Sequence, residues 1–155
     1  MKVRLIDKED LTKASMIHKE AFPRQNLSEK WLECNFNAFP RFLMFVAETR
    51  ESIVGYIIWN QKSGFRPEVV LELEQIAVFS DHRGQGVGRL LIEGSLPMVK
   101  TQLSKNRSTL KHVVVTTRAD NYAQSLYEDV LGAKVEATIE NLYSSDEVFM
   151  VARHV

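Results

Sequence analysis

Apolar and polar positions recur along this chain at two spacings, and the switches between them mark its elements. Lys2 to Ile6 alternates polar and apolar residues and predicts a first strand. Asp7 to Asp10 supplies acidic helix-start residues, after which Leu11, Ala14, Ile17, His18 and Ala21 follow helical spacing until Pro23. Residues 24–27 read as a loop and Ser28 as an N-cap. Trp31, Leu32, Asn35, Phe36 and Phe39 then mark a second helix, stopped by Pro40. Phe42–Glu48 and Ser52–Asn60 predict two strands, and the polar turn Thr49-Arg50-Glu51 makes them an antiparallel hairpin. Gln61 to Pro67 is a loop. Residues 70–79 interleave Val, Leu, Ile and Phe with polar residues, as a partly buried central strand does.

In the second half, Val87, Leu90, Leu91 and Met98 return to helical spacing. Pro97 removes a backbone donor, so a break is expected near Leu96, with a second helical piece to about Lys105. Lys105 to Ser108 is a polar connector, and Lys111 to Thr117 holds the buried-strand string Val113-Val114-Val115. Asp120 to Gly132 reads as a helix with Ala123, Leu126, Tyr127, Val130 and Leu131 on its apolar face. Asn121 and Gln124 are spaced as a capping box, and Gly132 is placed as the terminating glycine. Ala133–Glu140 and Glu147–Arg153 predict the last strands, joined by residues 141–146. The order is strand, two helices, three strands, helix, strand, helix, two strands. It predicts one α/β domain whose mixed central sheet of about seven strands carries helices on both faces.

Length and charge narrow the classes. The 155 residues suffice for one domain with a real core and are too few for two comfortable ones. Lys plus Arg and Asp plus Glu both number 20, which argues against broad binding to nucleic acid or to an anionic membrane. No apolar run approaches a bilayer's thickness, and residues 1–10 lack the apolar core of a signal peptide. Cys34 is the single cysteine, cannot form an intrachain disulfide and suits a reducing cytoplasm. Among Trp31, Leu32 and Phe36 it reads as a packing residue. His18 reads as structural or surface. His18, His82, His112 and His154 are scattered without ligand spacing, so no metal site is expected.

The candidate chemistry gathers at Arg83-Gly84-Gln85-Gly86-Val87-Gly88-Arg89, between the central strand and the helix after it. Three glycines there let successive backbone N–H groups face one concavity at the positive end of a helix dipole, a setting suited to phosphate or pyrophosphate. Arg83 and Arg89 add positive charge. No Gly-Lys-Ser/Thr string follows, which excludes a P-loop, and position 89 is Arg where a dinucleotide fingerprint counted from Gly84 needs Gly.

Residues 83–88 fit the pattern Arg/Gln-x-x-Gly-x-Gly/Ala, and here the chain resembles the GNAT family of acetyl-CoA-dependent N-acetyltransferases. The lead-in Gln75-Ile76-Ala77-Val78 and the element order resemble that family too, while Ser80 stands where proline is frequent. The resemblance implies direct acetyl transfer from acetyl-CoA to a primary amine of a small molecule or peptide, without a covalent enzyme intermediate. It implies that backbone groups of Ile76, Ala77 and Val78 bind the pantetheine arm and the oxyanion. It places the pyrophosphate on Arg83, Gly84, Gln85, Gly86, Val87, Gly88 and Arg89. Tyr127, in the string Tyr127-Glu128-Asp129-Val130-Leu131-Gly132, becomes the acid for the leaving thiolate rather than only a core aromatic. Asn121, first a helix cap, gains a second role as a coenzyme contact. Ala133 stands where family members often carry an aromatic.

For the base, Glu72 and Glu74 share one face of a period-two strand with Ile76 and Val78, opposite Leu71 and Leu73. Either can serve, directly or through water, and the alternative is a plain exposed polar face. The acceptor is less defined. Residues 20–32 resemble a segment near the start of ribosomal-protein alanine acetyltransferases, which keeps protein N-terminal acetylation open beside a small-molecule amine. A non-catalytic acyl-CoA sensor and a homodimer also stay open.

Overall fold

The computed structural model describes residues 1–155. The elements are β1 (Lys2–Leu5), α1 (Leu11–Ala21), α2 (Ser28–Asn37), β2 (Phe42–Glu48), β3 (Ile53–Gln61), β4 (Glu68–Val78), α3 (Val87–Lys105), β5 (Thr109–Arg118), α4 (Gln124–Leu131), β6 (Lys134–Ile139) and β7 (Glu147–Arg153). Short 3₁₀ turns at Lys8–Asp10 and Ser80–His82 precede α1 and the glycine stretch. The seven strands form one mixed sheet in the order β1-β2-β3-β4-β5-β7-β6. β4 and β5 are parallel, whereas β1–β2, β5–β7 and β6–β7 are antiparallel. The sequence therefore predicts the order and type of the elements. The chain forms two compact units, residues 1–59 with 75–99, and residues 60–74 with 100–155.

In the first unit, the periodic residues of α1 and α2 bury against alternate residues of the strands. Ala14, Ile17, Leu32, Val46, Tyr56 and Ile58 are sealed from solvent in one cluster. Each such large aliphatic side chain contributes roughly 1.5–3 kcal/mol by leaving water. His18 lies inside this unit, its ring nitrogens bonded to Ser28 Oγ at 2.8 Å and Gln25 Oε1 at 3.0 Å. That bond corrects the expectation for Ser28. Its hydroxyl serves His18, the residue is the first of α2, and Leu27 at φ 54° holds the cap position without a side-chain bond. Burial pushes the His18 imidazole below its usual pKa, and the Gln25 bond opposes this.

Cys34 is exposed, against the expected packing role. Helix α2 buries Leu32 and Asn35, and position 34 falls on the other side of the helical wheel. Phe39 lies beyond the helix end. At the sheet edge, Arg4 binds Asp10 at 2.6 Å and Glu48 at 3.0 Å.

The expected break in α3 does not occur, and the helix runs 19 residues through Pro97. Pro97 and Glu93, whose carbonyl loses its donor, both lie on the exposed side. The opposite side buries Leu91, Ile92, Ser95 and Val99, and that packing outweighs one missing backbone bond. Ser95 Oγ accepts the indole N–H of fully buried Trp59 at 2.9 Å.

In the second unit, β5 lies between β4 and β7 in the sheet, and Val113, Val115, Met150 and Ala152 are buried. Strand β6 is exposed along its whole length at the sheet edge. Helix α4 starts at Gln124, later than predicted. Gly132 ends it at φ +68°, a left-handed terminus that favours glycine. No helix is long and apolar enough to cross a membrane.

Candidate functional site

Strand β4 alternates burial at every residue, so Glu72, Glu74, Ile76 and Val78 share the half-buried face. Its ladder with β5 runs from Glu68↔Thr109 to Glu72↔Val114. Residues 73–78 carry the strand beyond that ladder, leaving backbone groups of Ile76–Val78 without a β5 partner.

After β4 the chain turns through Ser80–His82 and reaches the glycines. Glu20 of α1 accepts the Ser80 N–H at 2.6 Å, a bond that holds its carboxyl below the usual range, and its carboxylate lies 3.8 Å from Arg83. Arg83 Nε donates to Val78 O at 2.9 Å, and Gln85 Nε2 donates to Asp81 O at 2.8 Å. Gly84 and Gly86 have φ of +71° and +80°, a region that costs an L-residue about 1–2 kcal/mol. A Cβ at either position would meet nothing within 4 Å, so the turn stands open where the glycines sit. Residues 83–86 are exposed, Val87 anchors the start of α3 in the core, and the first α3 amides have no acceptor within the helix. Arg89 pairs with Glu93 at 3.2 Å. Of the predicted anion-binding residues, then, Gly84 and Gly86 shape the turn, and Arg83 and Gln85 bind backbone carbonyls beside it.

The two β4 carboxylates differ. Glu72 is bound to Lys62 Nζ at 2.9 Å. Glu74 has its carboxyl pushed above the usual range, first by burial and then by the charge of Glu72, with Asn60 and Lys62 opposing. Asn60 Oδ1 is sealed from solvent without a partner. A half-buried carboxyl with a raised pKa is a stronger base than an exposed one. Asn60 and Lys62 escape sequence reasoning because they lie at and just beyond the end of a strand with no motif around them.

Tyr127 is 4% exposed on α4, and burial pushes its hydroxyl up to about 12, with Tyr122 adding to the shift. No protein group bonds that hydroxyl, yet it is not sealed from solvent. Asn121 does not form the expected capping box. Its Oδ1 accepts the Ala123 N–H at 2.9 Å and its Nδ2 donates to Thr117 Oγ1 at 2.8 Å. Gln124 Nε2 turns to the carbonyls of Arg118 and Ala119 instead. The backbone carbonyls before α4 thus claim the side-chain amide that a capping box would have used.

One polar group on the opposite β4 face, in the family-like lead-in, has no side-chain role that the sequence assigns. Gln75 is 8% exposed, and its Oε1 accepts both Tyr56 Oη at 2.7 Å and Trp31 Nε1 at 3.3 Å. A glutamine in register with Leu71, Leu73 and Ala77 was the available signal.

The acetyltransferase (GNAT) family's sequence model matches residues 9–133. No curated protein sequence matches significantly. Among solved structures, the chain resembles an aminoglycoside 6'-N-acetyltransferase complexed with coenzyme A, at 15% identity and TM-score 0.78, covering 100% of this chain and 98% of that one. A ribosomal-protein-alanine N-acetyltransferase from Escherichia coli matches at 23% identity and TM-score 0.75, covering 99% and 93%. A spermidine N-acetyltransferase chimera from Vibrio cholerae matches at 20% identity and TM-score 0.76, covering 99% and 97%.

Proposed function

The chain belongs to the acetyltransferase (GNAT) family, and from that premise we propose that it moves an acetyl group from acetyl-CoA directly to a primary amine of a small molecule or peptide. The observation that carries this reading is the open turn at Gly84 and Gly86, at left-handed φ before a 19-residue helix. In the proposed binding mode the pyrophosphate lies on residues 83–89, drawn by the helix dipole and by Arg83 and Arg89. The pantetheine arm pairs with the β4 backbone at Ile76–Val78 as an added strand, and an amide there receives the oxyanion. Asn121 contributes its remaining amide hydrogen to the coenzyme.

Glu74 is the better base of the two carboxylates, because Lys62 already engages Glu72 in a direct ion pair, whereas the Glu74 carboxyl is raised above its usual range. Glu74 removes one proton from the ammonium, and the amine lone pair forms the C–N bond while the C–S bond breaks. In this reading Tyr127 serves the leaving sulfur. Complete transfer from a hydroxyl at about 12 to a thiolate of pKa roughly 8.5 is uphill by roughly 5 kcal/mol. Tyr127 therefore acts as a hydrogen-bond donor to the developing thiolate, and the proton that finally neutralises the sulfur is the second one shed by nitrogen. A hydrogen bond to a charged group is worth about 1.5–3 kcal/mol.

The acceptors named for the similar structures, an aminoglycoside, a ribosomal-protein alanine and spermidine, span several amine classes on one fold. The fold does not choose the amine.

Calorimetry with acetyl-CoA, followed by thiol release against a panel of amines and N-terminal peptides, tests the reading. Binding with release is expected, and Tyr127→Phe should lower kcat roughly 10- to 150-fold with little change in coenzyme affinity. Failure to bind acetyl-CoA would overturn the coenzyme site. Full turnover by the Tyr127 variant would remove its role.

A further inference from the structure

Gln75 is more than nine-tenths buried, and its amide is held in one orientation. An indole N–H can only donate, so the atom 3.3 Å from Trp31 Nε1 is the carbonyl oxygen. Tyr56 Oη donates to the same oxygen at 2.7 Å from a fully buried side chain. Both bonds fall on Oε1, which leaves the two Nε2 hydrogens facing the other way. No protein acceptor takes them, and Nε2 is not among the atoms sealed from solvent. The result is a fixed donor pair that opens outward beside Trp31, a residue 40% exposed.

Its place on the strand gives this donor a use. Gln75 and Glu74 are adjacent on β4 and project from opposite faces, and both flank the backbone edge that continues past the β5 ladder. A molecule seated along Ile76–Val78, the segment proposed above to hold the thioester, is within reach of the amide hydrogens of Gln75, the residue that directly precedes it. An amide N–H₂ offers nothing to a cation and is matched by an acceptor, of which a carbonyl or hydroxyl oxygen is the commonest.

Resting on the transferase reading above, we propose that Gln75 determines acceptor specificity. Its Nε2 hydrogens bind a carbonyl or hydroxyl oxygen of the acceptor, so the enzyme selects amines that carry an oxygen nearby over alkyl polyamines. A peptide N-terminus and an amino sugar both present that chemistry. A protonated polyamine has donors only and leaves the Gln75 hydrogens unmatched, which a buried site penalises.

Steady-state kcat/KM with saturating acetyl-CoA is measured for a short peptide with a free N-terminus, an amino sugar and spermidine. Wild type is expected to favour at least one oxygen-bearing acceptor over spermidine by tenfold or more. The decisive variant is Gln75→Glu, which keeps an oxygen for Trp31 and Tyr56 and replaces the outward donor by an acceptor. It should lower kcat/KM for the oxygen-bearing acceptor about 10- to 100-fold, leave the KM for acetyl-CoA in place, and leave spermidine unchanged or improved. Trp31→Phe removes one of the two bonds that orient the amide without emptying the core, and should narrow the preference about threefold or more. The peptide and amino-sugar arms identify which oxygen source is used. Equal losses on all three acceptors, or no loss on any, would reduce Gln75 to a structural residue and overturn the proposal. So would a wild-type preference for spermidine. A wild-type protein that does not bind acetyl-CoA at all overturns the transferase reading itself, a different failure visible before any acceptor is added.

Discussion

Replacing Gly55 by alanine measures how closely β3 and β4 approach each other at the segment proposed to carry the coenzyme. An added Cβ would sit 2.9 Å from Ala77 O and 3.2 Å from both Leu91 Cδ1 and Val78 Cγ2. The two side chains can give by a few tenths of an ångström. The carbonyl belongs to the backbone of β4 and cannot move without shifting Ala77. Overpacking of this kind costs about 1–3 kcal/mol, and alanine recovers about 0.5–1 kcal/mol through the lower freedom of its unfolded chain. The net loss is about 1.5 kcal/mol, which for a chain of 155 residues lowers Tm by roughly 3–6 °C. Thermal unfolding followed by circular dichroism gives the first number, and titration with acetyl-CoA gives the second, because a displaced Ala77 should also raise KM for the coenzyme. An unchanged or higher Tm would show that β4 yields freely at Ala77, and the close approach would then place no constraint on that position.

Three further outcomes follow from the same geometry. Ser95→Ala strips the acceptor from the buried Trp59 indole and should cost about 1–3 kcal/mol, and the double variant with Trp59→Phe should be less harmful than the sum of the two; strict additivity would mean that the bond contributes nothing. Arg4 holds the Glu48 carboxyl down to about 2 and also lowers Asp10, so this stability is present above the ordinary carboxylate pKa and is lost as pH falls towards 2; Arg4→Met should flatten the decline of Tm between about pH 4.5 and 2, and an equally steep decline would count against the network. For Glu74, whose carboxyl is raised first by burial and then by Glu72, the acid limb of kcat/KM should lie above the usual carboxylate range, move to lower pH in Glu72→Gln and vanish in Glu74→Gln; a limb that survives Glu74→Gln assigns the base elsewhere.

What could be read beforehand, and what could not, divides along local and non-local lines. The β4 alternation is visible because burial of one strand face imposes a period of two on its own residues. Gly84 and Gly86 are visible because a left-handed φ restricts residue type at those positions. Pro97 misled because the cost of one missing donor is local, whereas the packing of Leu91, Ile92 and Val99 that keeps α3 continuous is not. Ser28 misled in the same way, since its partner His18 lies ten residues back on another helix. Cys34 was given to the wrong helix face because Trp31 and Phe36, both apolar, are not the residues that α2 buries most deeply. At the site, the Lys62–Glu72 pair separates two carboxylates that strand periodicity leaves equivalent. The Gln75 amide depends on Trp31 and Tyr56, which are distant in sequence and carry no motif.

The way the chain divides between its two units sets an order of events during synthesis. All residues of the first unit are present once Val99 has been added, while the second is complete only at the last strand. At about 5–20 residues per second, the stretch from Lys100 to Val155 occupies roughly 3–11 s on the ribosome. For about the first third of that interval, until Arg118 is added, Val69, Leu71 and Leu73 belong to a strand whose parallel partner, β5, is incomplete. Glu68, Glu72, Glu74 and Lys62 keep the waiting segment charged, the same device that protects unpaired edges in finished sheets. The carboxylates of β4 would then protect the nascent strand from aggregation before any of them meets a substrate. Substituting them for catalytic studies should therefore be judged by soluble yield as well as by rate.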